Sequence, residues 1–442
     1  MNARNTQHTS SRKTASYGRG VAALLTLALF AAGCAPVLEL RTDDQIHGDL
    51  VNEARDRVSV TTRVTTFDAN GVALDLAVHE IGPGDRDHLF VMIHGVLSDH
   101  QGWRYIAADL GRDHDLMQID LLGCGESDKP SPESLGPMGY GPTTMARRVL
   151  QAIQSRLNDR TAPPRKITML AHSYGGMLAI RMMGNRALRQ EFAATLDQVE
   201  RLILIAPFDV AIQSPPAAFQ GLVEVGYWKI ELGNLLGLIE APLTEIVASG
   251  FDRVEDAPRE EATRLINLVC DRDRFESNCA ILRQAVPWTE KERPDWPQVA
   301  ELVEDYASID VPCSILWGAR DETLPLSMGY KLASEIPTAD LWIFPHCKHS
   351  VQLERPGLCA AVIRECLNRV PVQVDQVIES LMPNGGRSMD EIRQSPALSR
   401  CLRIEILNDF EDVRDVEVVP AELPDLESPA LEDFTSIATI QI

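Results

Sequence analysis

The feature that most constrains this chain is a serine enclosed by small residues immediately after an apolar run. Residues 167–170 read Ile-Thr-Met-Leu, and residues 171–176 follow as Ala-His-Ser-Tyr-Gly-Gly. This order predicts a buried strand, a sharp turn with Ser173 at its tip and a helix that starts at the turn. The turn has room only for small side chains two residues before and after the serine, where Ala171 and Gly175 stand. The helix N-terminus would then face any negative charge that develops beside the hydroxyl.

A second segment supplies donors for such a charge. Residues 88–93 predict a buried strand, and the strand runs directly into His94-Gly95-Val96. In acyl-transfer enzymes with a serine elbow, one backbone N–H after such a strand and the N–H that follows the nucleophile bind the oxyanion. We therefore predict that the backbone N–H groups of Val96 and Tyr174 form an oxyanion hole and that His94 shapes the loop.

Two further strand-like runs are followed by an acid and a base. Residues 313–317 lead to Asp321, and residues 341–344 lead to His349. Because the carboxyl ends of parallel strands meet at one edge of a sheet, these side chains are expected close to Ser173. The chain order is then nucleophile, acid, base, and Ser173, Asp321 and His349 are the predicted catalytic residues.

At these residues the chain resembles the α/β-hydrolase family, and within it the capped serine hydrolases that include esterases and lipases. The resemblance covers residues 60–370 and includes a fifth match, Asp-Leu-Leu-Gly-Cys-Gly-Glu-Ser-Asp over 120–128, which is similar to the family's D-x-x-G-x-G-x-S loop. It implies an α/β fold with a mostly parallel central sheet, helices on both faces and an inserted helical cap. Ala171 and Lys348 stand where glycine is usual. The serine at the elbow argues against the epoxide hydrolase and haloalkane dehalogenase relatives, which have an aspartate there.

Alternatives remain for the acid and the base. His346 lies three residues before His349 and is the rival base. His349 is preferred because the resemblance favours its spacing before Glu354. Asp340 is the rival acid, but it precedes its predicted strand and so lies at the wrong end, while Glu322 would point elsewhere than Asp321.

The order of predicted elements gives the domain organisation. A hairpin is expected around Asn70-Gly71, followed by strands that alternate with helices. About a hundred residues without a clear strand then separate the two halves of the core, where the family inserts its cap. The predicted divisions are a signal peptide over 1–33, a tether over 34–57, the core over 58–207 and 309–370, the cap over 208–308 and an acidic extension over 371–442. In that extension we expect one or two helices and a strand up to residue 410, and a poorly ordered tail beyond.

The N-terminus has the pattern of a lipoprotein-type signal peptide. Residues 1–33 contain four basic residues and no acidic one, and the apolar run over 21–32 ends in Gly33-Cys34. A run of 12 residues is shorter than the roughly 20 that a spanning helix needs. The segment resembles a bacterial lipobox, so we predict lipidation of Cys34, export and attachment to a membrane of the bacterial cell envelope. A plain signal peptide is the alternative.

The net charge and the number of cysteines limit which partners, cofactors and disulfides the chain can have. The chain has a net charge of −22, which argues against nucleic acid as a partner. Its nine cysteines include Cys34, and an exported protein permits disulfides among the other eight. Their connectivity stays open, and Cys270 with Cys279 is one plausible pair. No cysteine or histidine spacing indicates a zinc site, so we predict no metal and no cofactor. The oligomeric state stays open.

Three functions are consistent with these residues. The first is a serine hydrolase that cleaves a carboxylic ester through an acyl-enzyme, with a small-molecule ester or acyl substrate. The second is a proline iminopeptidase-like or other amide hydrolase, for which cap carboxylates would bind the amine. The third is a non-catalytic surface lipoprotein. Apolar cap residues could line an acyl pocket or simply pack the cap: Phe219, Tyr227, Trp228, Leu235, Leu236 and Ile239. The carboxylates available for an amine are Glu224, Glu231 and Glu240.

Overall fold

A nine-stranded sheet forms the centre of the molecule. In this computed structural model the described residues are 38–56, 59–160, 162–164, 166–210, 223–286, 295–368 and 404–406. The strand order is β1-β2-β4-β3-β5-β6-β7-β8-β9. The strands are β1 (Ser59–Phe67), β2 (Ala73–Ile81), β3 (His88–Ile93), β4 (Asp115–Ile119), β5 (Lys166–His172), β6 (Val199–Ile205), β7 (Cys313–Gly318), β8 (Ala339–Phe344) and β9 (Ile404–Ile406).

The predicted hairpin and the predicted parallel sheet are both present. β1 and β2 pair antiparallel through a turn in which Gly71 has a φ of 80°. β2 pairs antiparallel with β4, and every pairing from β4 onward is parallel. Parallel strands need crossover connections, and helices provide them on both faces. The expected α/β architecture, with a mostly parallel sheet, is therefore confirmed.

A helix begins at the serine turn, as the sequence predicts, and further helices lie between the strands and in the cap segment. Short 3₁₀ turns cover His100–Trp103 and Val254–Asp256. The α-helices are α1 (Asp43–Asp56), α2 (Arg104–Leu110), α3 (Pro132–Leu135), α4 (Pro142–Asp159), α5 (Tyr174–Gly184), α6 (Arg186–Glu191), α7 (Ala193–Leu196), α8 (Tyr227–Leu235), α9 (Glu240–Ser249), α10 (Arg259–Cys270), α11 (Arg272–Ala285), α12 (Trp296–Ala307), α13 (Leu326–Glu335), α14 (Val351–Glu354) and α15 (Pro356–Asn368).

Two hydrophobic cores sandwich the sheet. Side chains alternate between its faces, so Leu89 and Val91 of β3 join one core while Phe90 and Met92 join the other. The first core is covered by α4, α5, α12 and α13, and the second by α2 and α15. Because the central strands are buried on both faces, they read as continuous apolar runs, which is what made them predictable.

The predicted cap segment contains two kinds of helix. Helices α8, α10 and α11 share a separate hydrophobic cluster that includes Ile230, Leu268 and Phe275. Helix α12 instead packs against the core helix α5, where Arg181 Nη1 lies 2.5 Å from Asp305 Oδ2. The boundaries at 208 and 308 stay predictions, and Phe219 lies outside the described residues.

Parts of the predicted tether and of the predicted C-terminal extension pack against the core. Within the predicted tether over 34–57, residues 43–56 form α1, which packs against α2. Within the predicted extension, β9 pairs with β8 as the strand expected before residue 410. Cys34 and the rest of the extension lie outside the described residues. No helix within the described ranges is long and apolar enough to cross a bilayer.

The described cysteines are all free. Cys270 and Cys279 both carry thiols, so the disulfide considered for them is not formed. Cys279 is buried, and burial raises the pKa of its thiol to about 11. A thiol of that kind stays protonated at neutral pH and is a poor nucleophile.

Candidate active site

The serine turn forms as the sequence predicts. Ser173 has a φ of 51°, a left-handed conformation that a non-glycine residue adopts only where its surroundings enforce it. Its backbone N–H donates to Ile205 O at 2.9 Å, and its carbonyl accepts from Phe208 N at 3.0 Å. A Cβ on Gly175 would overlap the carbonyl oxygens of Ile93 and His94. The elbow therefore presses against the end of β3, and this contact requires glycine two residues after the serine.

Asp321 and His349 meet at the carboxyl ends of their strands. His349 Nδ1 lies 2.7 Å from Asp321 Oδ2. The other carboxylate oxygen of Asp321 accepts the backbone N–H groups of Thr323 and Leu324, both at 2.8 Å. With Nδ1 donating to the carboxylate, Nε2 of His349 is left with a free lone pair, as a general base requires.

Ser173 and His349 line the same cavity but do not contact each other through a hydrogen bond. The hydroxyl of Ser173 has no hydrogen-bond partner among the described residues. Catalytic contacts of this kind are often loose without substrate and tighten when it binds. The structure thus brings the predicted base onto the predicted acid and places the predicted nucleophile beside them.

The rival residues occupy other positions. Asp340 lies near the start of β8, opposite Ser314, at the end of the sheet away from Ser173. The side chain of Glu322 is 78% exposed and pairs with Lys348, with 2.9 Å between Oε2 and Nζ. His346 does not line the cavity that Ser173 lines. Asp321 and His349 are hydrogen-bonded to each other, as a catalytic acid and base require.

Lys348, which stands where the family usually has glycine, connects the base loop to two other segments. Its ammonium donates to Glu322 Oε2 at 2.9 Å and to Ser249 O, at the end of α9, at 2.8 Å. Its backbone N–H donates to the buried carboxylate of Glu354 at 2.8 Å. Burial raises the pKa of Glu354, although hydrogen bonds from Lys348 and Asp252 oppose the rise. The departure from glycine is therefore accommodated, because Lys348 links the base loop to the acid loop and the cap.

His94 forms hydrogen bonds that fix the backbone of the predicted oxyanion loop. His94 is buried, and its Nδ1 donates to Gly95 O at 2.7 Å while Nε2 accepts from Leu121 N at 3.0 Å. Burial lowers the pKa of His94, so the neutral ring with this tautomer is favoured. The N–H groups of Val96 and Tyr174 have no hydrogen-bond acceptor among the described residues. Both amides are therefore available to a ligand, as an oxyanion hole requires.

Asn278 is a site residue that the sequence did not reveal. It lies on α11, is fully buried, and accepts the backbone N–H of Leu97 at 2.8 Å through Oδ1. Its amide nitrogen donates to Arg274 O at 2.8 Å and to Gly123 O at 3.4 Å. Leu97 has a φ of 60°, so the loop is strained at this bond. Asn278 thus ties the oxyanion loop to the cap, and no sequence signal marks it because its partner lies 181 positions away.

A cavity of about 300 Å³ lies between the core and the cap. Ser173, His349 and Val96 lie on its core side. Of the apolar residues that could line an acyl pocket or pack the cap, Tyr227 and Ile239 pack inside the cap. Trp228, Leu235 and Leu236 are exposed and do not line this cavity. Other apolar side chains take their place on the wall: Ile246, Val247, Phe251, Leu265, Leu268 and Leu353.

The cavity wall also carries charge. Arg264 lies there, with Nη2 2.5 Å from Asp99 Oδ1 and Nη1 3.0 Å from Glu261 Oε1. Arg274 is the other arginine on the wall, and its Nε lies 3.5 Å from Asp271 Oδ2. Arg264 is thus neutralised by two acids. The three acids considered for an amine-binding site are not among the described residues that line the cavity: Glu224, Glu231 and Glu240.

One group of side chains approaches the spacing of metal ligands. Within the described ranges, the ligand atoms of His79, His100 and Asp120 lie within 4.8 Å of one another. Each oxygen of Asp120 already accepts hydrogen bonds, from the His100 and Glu126 amides and from both imidazoles. Burial raises the pKa of Asp120, but these imidazole hydrogen bonds outweigh it and lower the pKa well below its usual value. The donors fit a hydrogen-bonded network that holds the 120–128 loop, because a metal would have to displace them.

Comparisons with known proteins identify the family of the chain. The sequence profile described as Alpha/beta hydrolase family matches residues 90–362. A 2-hydroxy-6-oxononadienedioate/2-hydroxy-6-oxononatrienedioate hydrolase of Burkholderia vietnamiensis is 24% identical over 303 residues, covering 67% of this chain and 92% of the relative. An uncharacterized protein of Mycobacterium tuberculosis is 22% identical over 309 residues, covering 67% and 80%.

Solved structures share the fold. An esterase from Exiguobacterium antarcticum superposes with a TM-score of 0.51 and 19% identity, covering 70% of this chain and all of the esterase. At this identity the likeness establishes the fold alone.

Proposed function

This chain belongs to the alpha/beta hydrolase family, and on that premise we propose that it is a serine hydrolase that cleaves a carboxylic ester through an acyl-enzyme. The observation that carries the proposal is the 2.7 Å contact between His349 Nδ1 and Asp321 Oδ2 on the wall of the cavity that also exposes Ser173. A base oriented by a buried carboxylate beside a serine elbow is the arrangement that nucleophilic acyl transfer needs.

In the first step, His349 Nε2 takes the hydroxyl proton as Ser173 Oγ attacks the acyl carbonyl. Asp321 keeps Nδ1 of the imidazole protonated and stabilises the imidazolium that forms. The N–H groups of Val96 and Tyr174 bind the tetrahedral oxyanion, and each such donor contributes about 3–4 kcal/mol to the transition state in comparable enzymes. His349 then passes its proton to the leaving alcohol, and the C–O ester bond breaks.

In the second step, water attacks the acyl-Ser173 ester with His349 as the base, and the carboxylic acid leaves. The cap supports this chemistry because its helices α9 and α10 form one wall of the cavity. A covered cavity excludes bulk water and strengthens the electrostatic contacts at the oxyanion. Its volume and apolar wall favour a small or medium hydrophobic acyl group.

The test is hydrolysis of p-nitrophenyl esters of increasing acyl length, together with labelling of Ser173 by a fluorophosphonate. We expect activity that peaks at one chain length and is lost in Ser173→Ala and His349→Ala, with His346→Ala as the matched control. Loss of activity in His346→Ala but not in His349→Ala would reverse the assignment of the base. Labelling without ester turnover would favour an amide substrate, and absence of both would favour the non-catalytic lipoprotein.

A second candidate substrate class is an oxo-dicarboxylate, on the evidence of the arginines in the cavity. The name of the Burkholderia relative describes such a dianionic substrate. Arg264 and Arg274 lie on the cavity wall, and Arg274 is the less neutralised of the two. If a substrate carboxylate binds there, Arg274→Gln should raise KM for an oxo-dienedioate and leave KM for a neutral ester unchanged. Equal effects on both substrates would exclude this role.

We also propose that the protein is lipid-anchored at Cys34 in the bacterial cell envelope. The basic residues, the short apolar run and Gly33-Cys34 support this location. The test is incorporation of labelled palmitate in a bacterial host, with Cys34→Ser as the control. Label in the native chain but not in Cys34→Ser is expected. Label that persists in Cys34→Ser would refute the site.

A further inference from the structure

One helix of the cap exposes an apolar stripe. On α8, Trp228, Leu232 and Leu235 are spaced four and three residues apart and so share one face of the helix. They are 62%, 37% and 83% exposed, and Leu236 beside them is 53% exposed. The opposite face of α8 is already buried through Ile230. This helix is therefore apolar on both sides, and no described residue covers the outer one.

Exposed apolar residues are concentrated in the part of the sequence that contains the stripe. Six of the twelve large apolar side chains that are exposed in the described chain fall within residues 227–256. Single exposed apolar residues are ordinary, but a cluster of them marks a surface that binds something. The stripe also carries the Lys229 ammonium 5.8 Å from the Trp228 ring centroid. Tryptophan with an adjacent basic residue is typical of the boundary between water and lipid.

The first described residues of the chain lie beside the same part of the molecule. Arg41 is fixed at the start of α10, where Arg259 N donates to Arg41 O at 2.7 Å. Helix α8 meets the other end of α10, where Tyr227 OH donates to Cys270 O at 2.6 Å. The 12 residues of α10 span roughly 18 Å. The seven peptide units from Cys34 to Arg41 reach at most about 25 Å. The segment from Arg41 back to Cys34 is therefore long enough to place a lipid on Cys34 at the level of the stripe.

We propose that the stripe, Trp228, Leu232, Leu235 and Leu236, docks on the surface of the bilayer that holds the anchor. This inference rests on the anchor proposed at Cys34. Insertion of apolar side chains is the driving force, because Lys229 and Glu231 on the same helix offset each other and the chain as a whole is acidic. Docking therefore needs no anionic lipid and is insensitive to salt.

The experiment uses the full chain on phosphatidylcholine vesicles that contain brominated lipid, a quencher of tryptophan fluorescence. We expect quenching that is lost in Trp228→Phe and retained in Trp296→Phe, since Trp296 is also exposed, at 42%, but lies on α12.

A second variant pair avoids any effect on the fluorophore. In the Cys34→Ser background, Leu235→Glu should reduce vesicle flotation at least fivefold, whereas Val60→Glu on β1 should not.

The outcomes separate this proposal from the others. Unchanged quenching in Trp228→Phe, or equal flotation of Leu235→Glu and Val60→Glu, would overturn it. A dimer that Leu235→Glu converts to a monomer, with no quenching of Trp228, would overturn it in favour of a second copy of the chain. Palmitate labelling reports on the anchor, and hydrolysis of a soluble ester by Trp228→Phe reports on the hydrolase, so failure of either proposed function is seen independently.

Discussion

Replacement of Asn278 by leucine should slow acyl transfer with little effect on substrate binding. Leucine branches at Cγ as asparagine does and keeps the buried site filled, but it is larger, so its packing also costs some stability. The change removes the acceptor of Leu97 N–H and the donor to Gly123 O. A buried polar group left without its hydrogen-bond partner lowers the free energy of unfolding by about 1–3 kcal/mol. The left-handed Leu97 then lacks the bond that holds it, and the loop that carries Val96 relaxes.

The magnitude follows from the donor that this loop supplies. Complete loss of one oxyanion donor lowers kcat by about 10²–10³. Because Val96 itself is untouched and only its loop is released, we expect a decrease in kcat of roughly 10–100-fold, or about 1.4–2.7 kcal/mol. KM should change less than about threefold, since the oxyanion forms only in the transition state.

The assay is the rate of fluorophosphonate labelling at Ser173, which needs no knowledge of the natural substrate, followed by kcat and KM on the best ester. Ser277→Ala is the matched control. Ser277 is the preceding, equally buried residue of α11, and it hydrogen-bonds Tyr140 OH at 2.8 Å, away from the oxyanion loop. Equal losses in both variants, or a loss carried by KM, would refute the reasoning and reduce Asn278 to a residue of general stability.

Three further predictions concern the elbow and the buried network. Gly175→Ala should abolish labelling of Ser173, because its Cβ overlaps backbone at Ile93; a variant that folds with native labelling would contradict the elbow geometry. Ala171→Gly should keep labelling within about twofold and lower stability by about 1–2 kcal/mol in thermal unfolding, from the lost buried methyl and added chain entropy; a tenfold loss of labelling would contradict this. For His100, burial lowers the pKa, but the hydrogen bond and charge of Asp120 outweigh it, so the pKa is raised. The stabilisation it gives is thus complete below its unfolded pKa of about 6.5 and is lost as the pH rises through the folded pKa. The stability difference between the native chain and His100→Asn should therefore shrink from pH 6 to pH 9, and a constant difference would contradict the pairing.

The order of local elements was readable from the sequence because it depends on near neighbours. Continuous apolar runs marked the buried strands, and the small residues around Ser173 marked the turn. The structure of the N-terminal segment was less predictable. Helix α1 was read as part of a tether because its segment is polar, yet Asp43 is bonded to Arg104 and Tyr105 of the core. Polar segments give no periodic signal for such packing.

The sequence by itself determined the fold class and the chain order of the proposed nucleophile, acid and base, since both follow from strand ends that parallel pairing brings to one edge. Tertiary structure alone decided which side chains meet there. It selected Asp321 as the partner of His349 and bonded Asn278 to the predicted oxyanion loop. It also turned Trp228 and Leu235 outward, although their apolar character was consistent with a pocket or with packing inside the cap. The physical reason is that the hydrophobicity of a side chain sets only the free energy it gains when it is buried. The direction in which the side chain faces depends on contacts with residues far away along the chain.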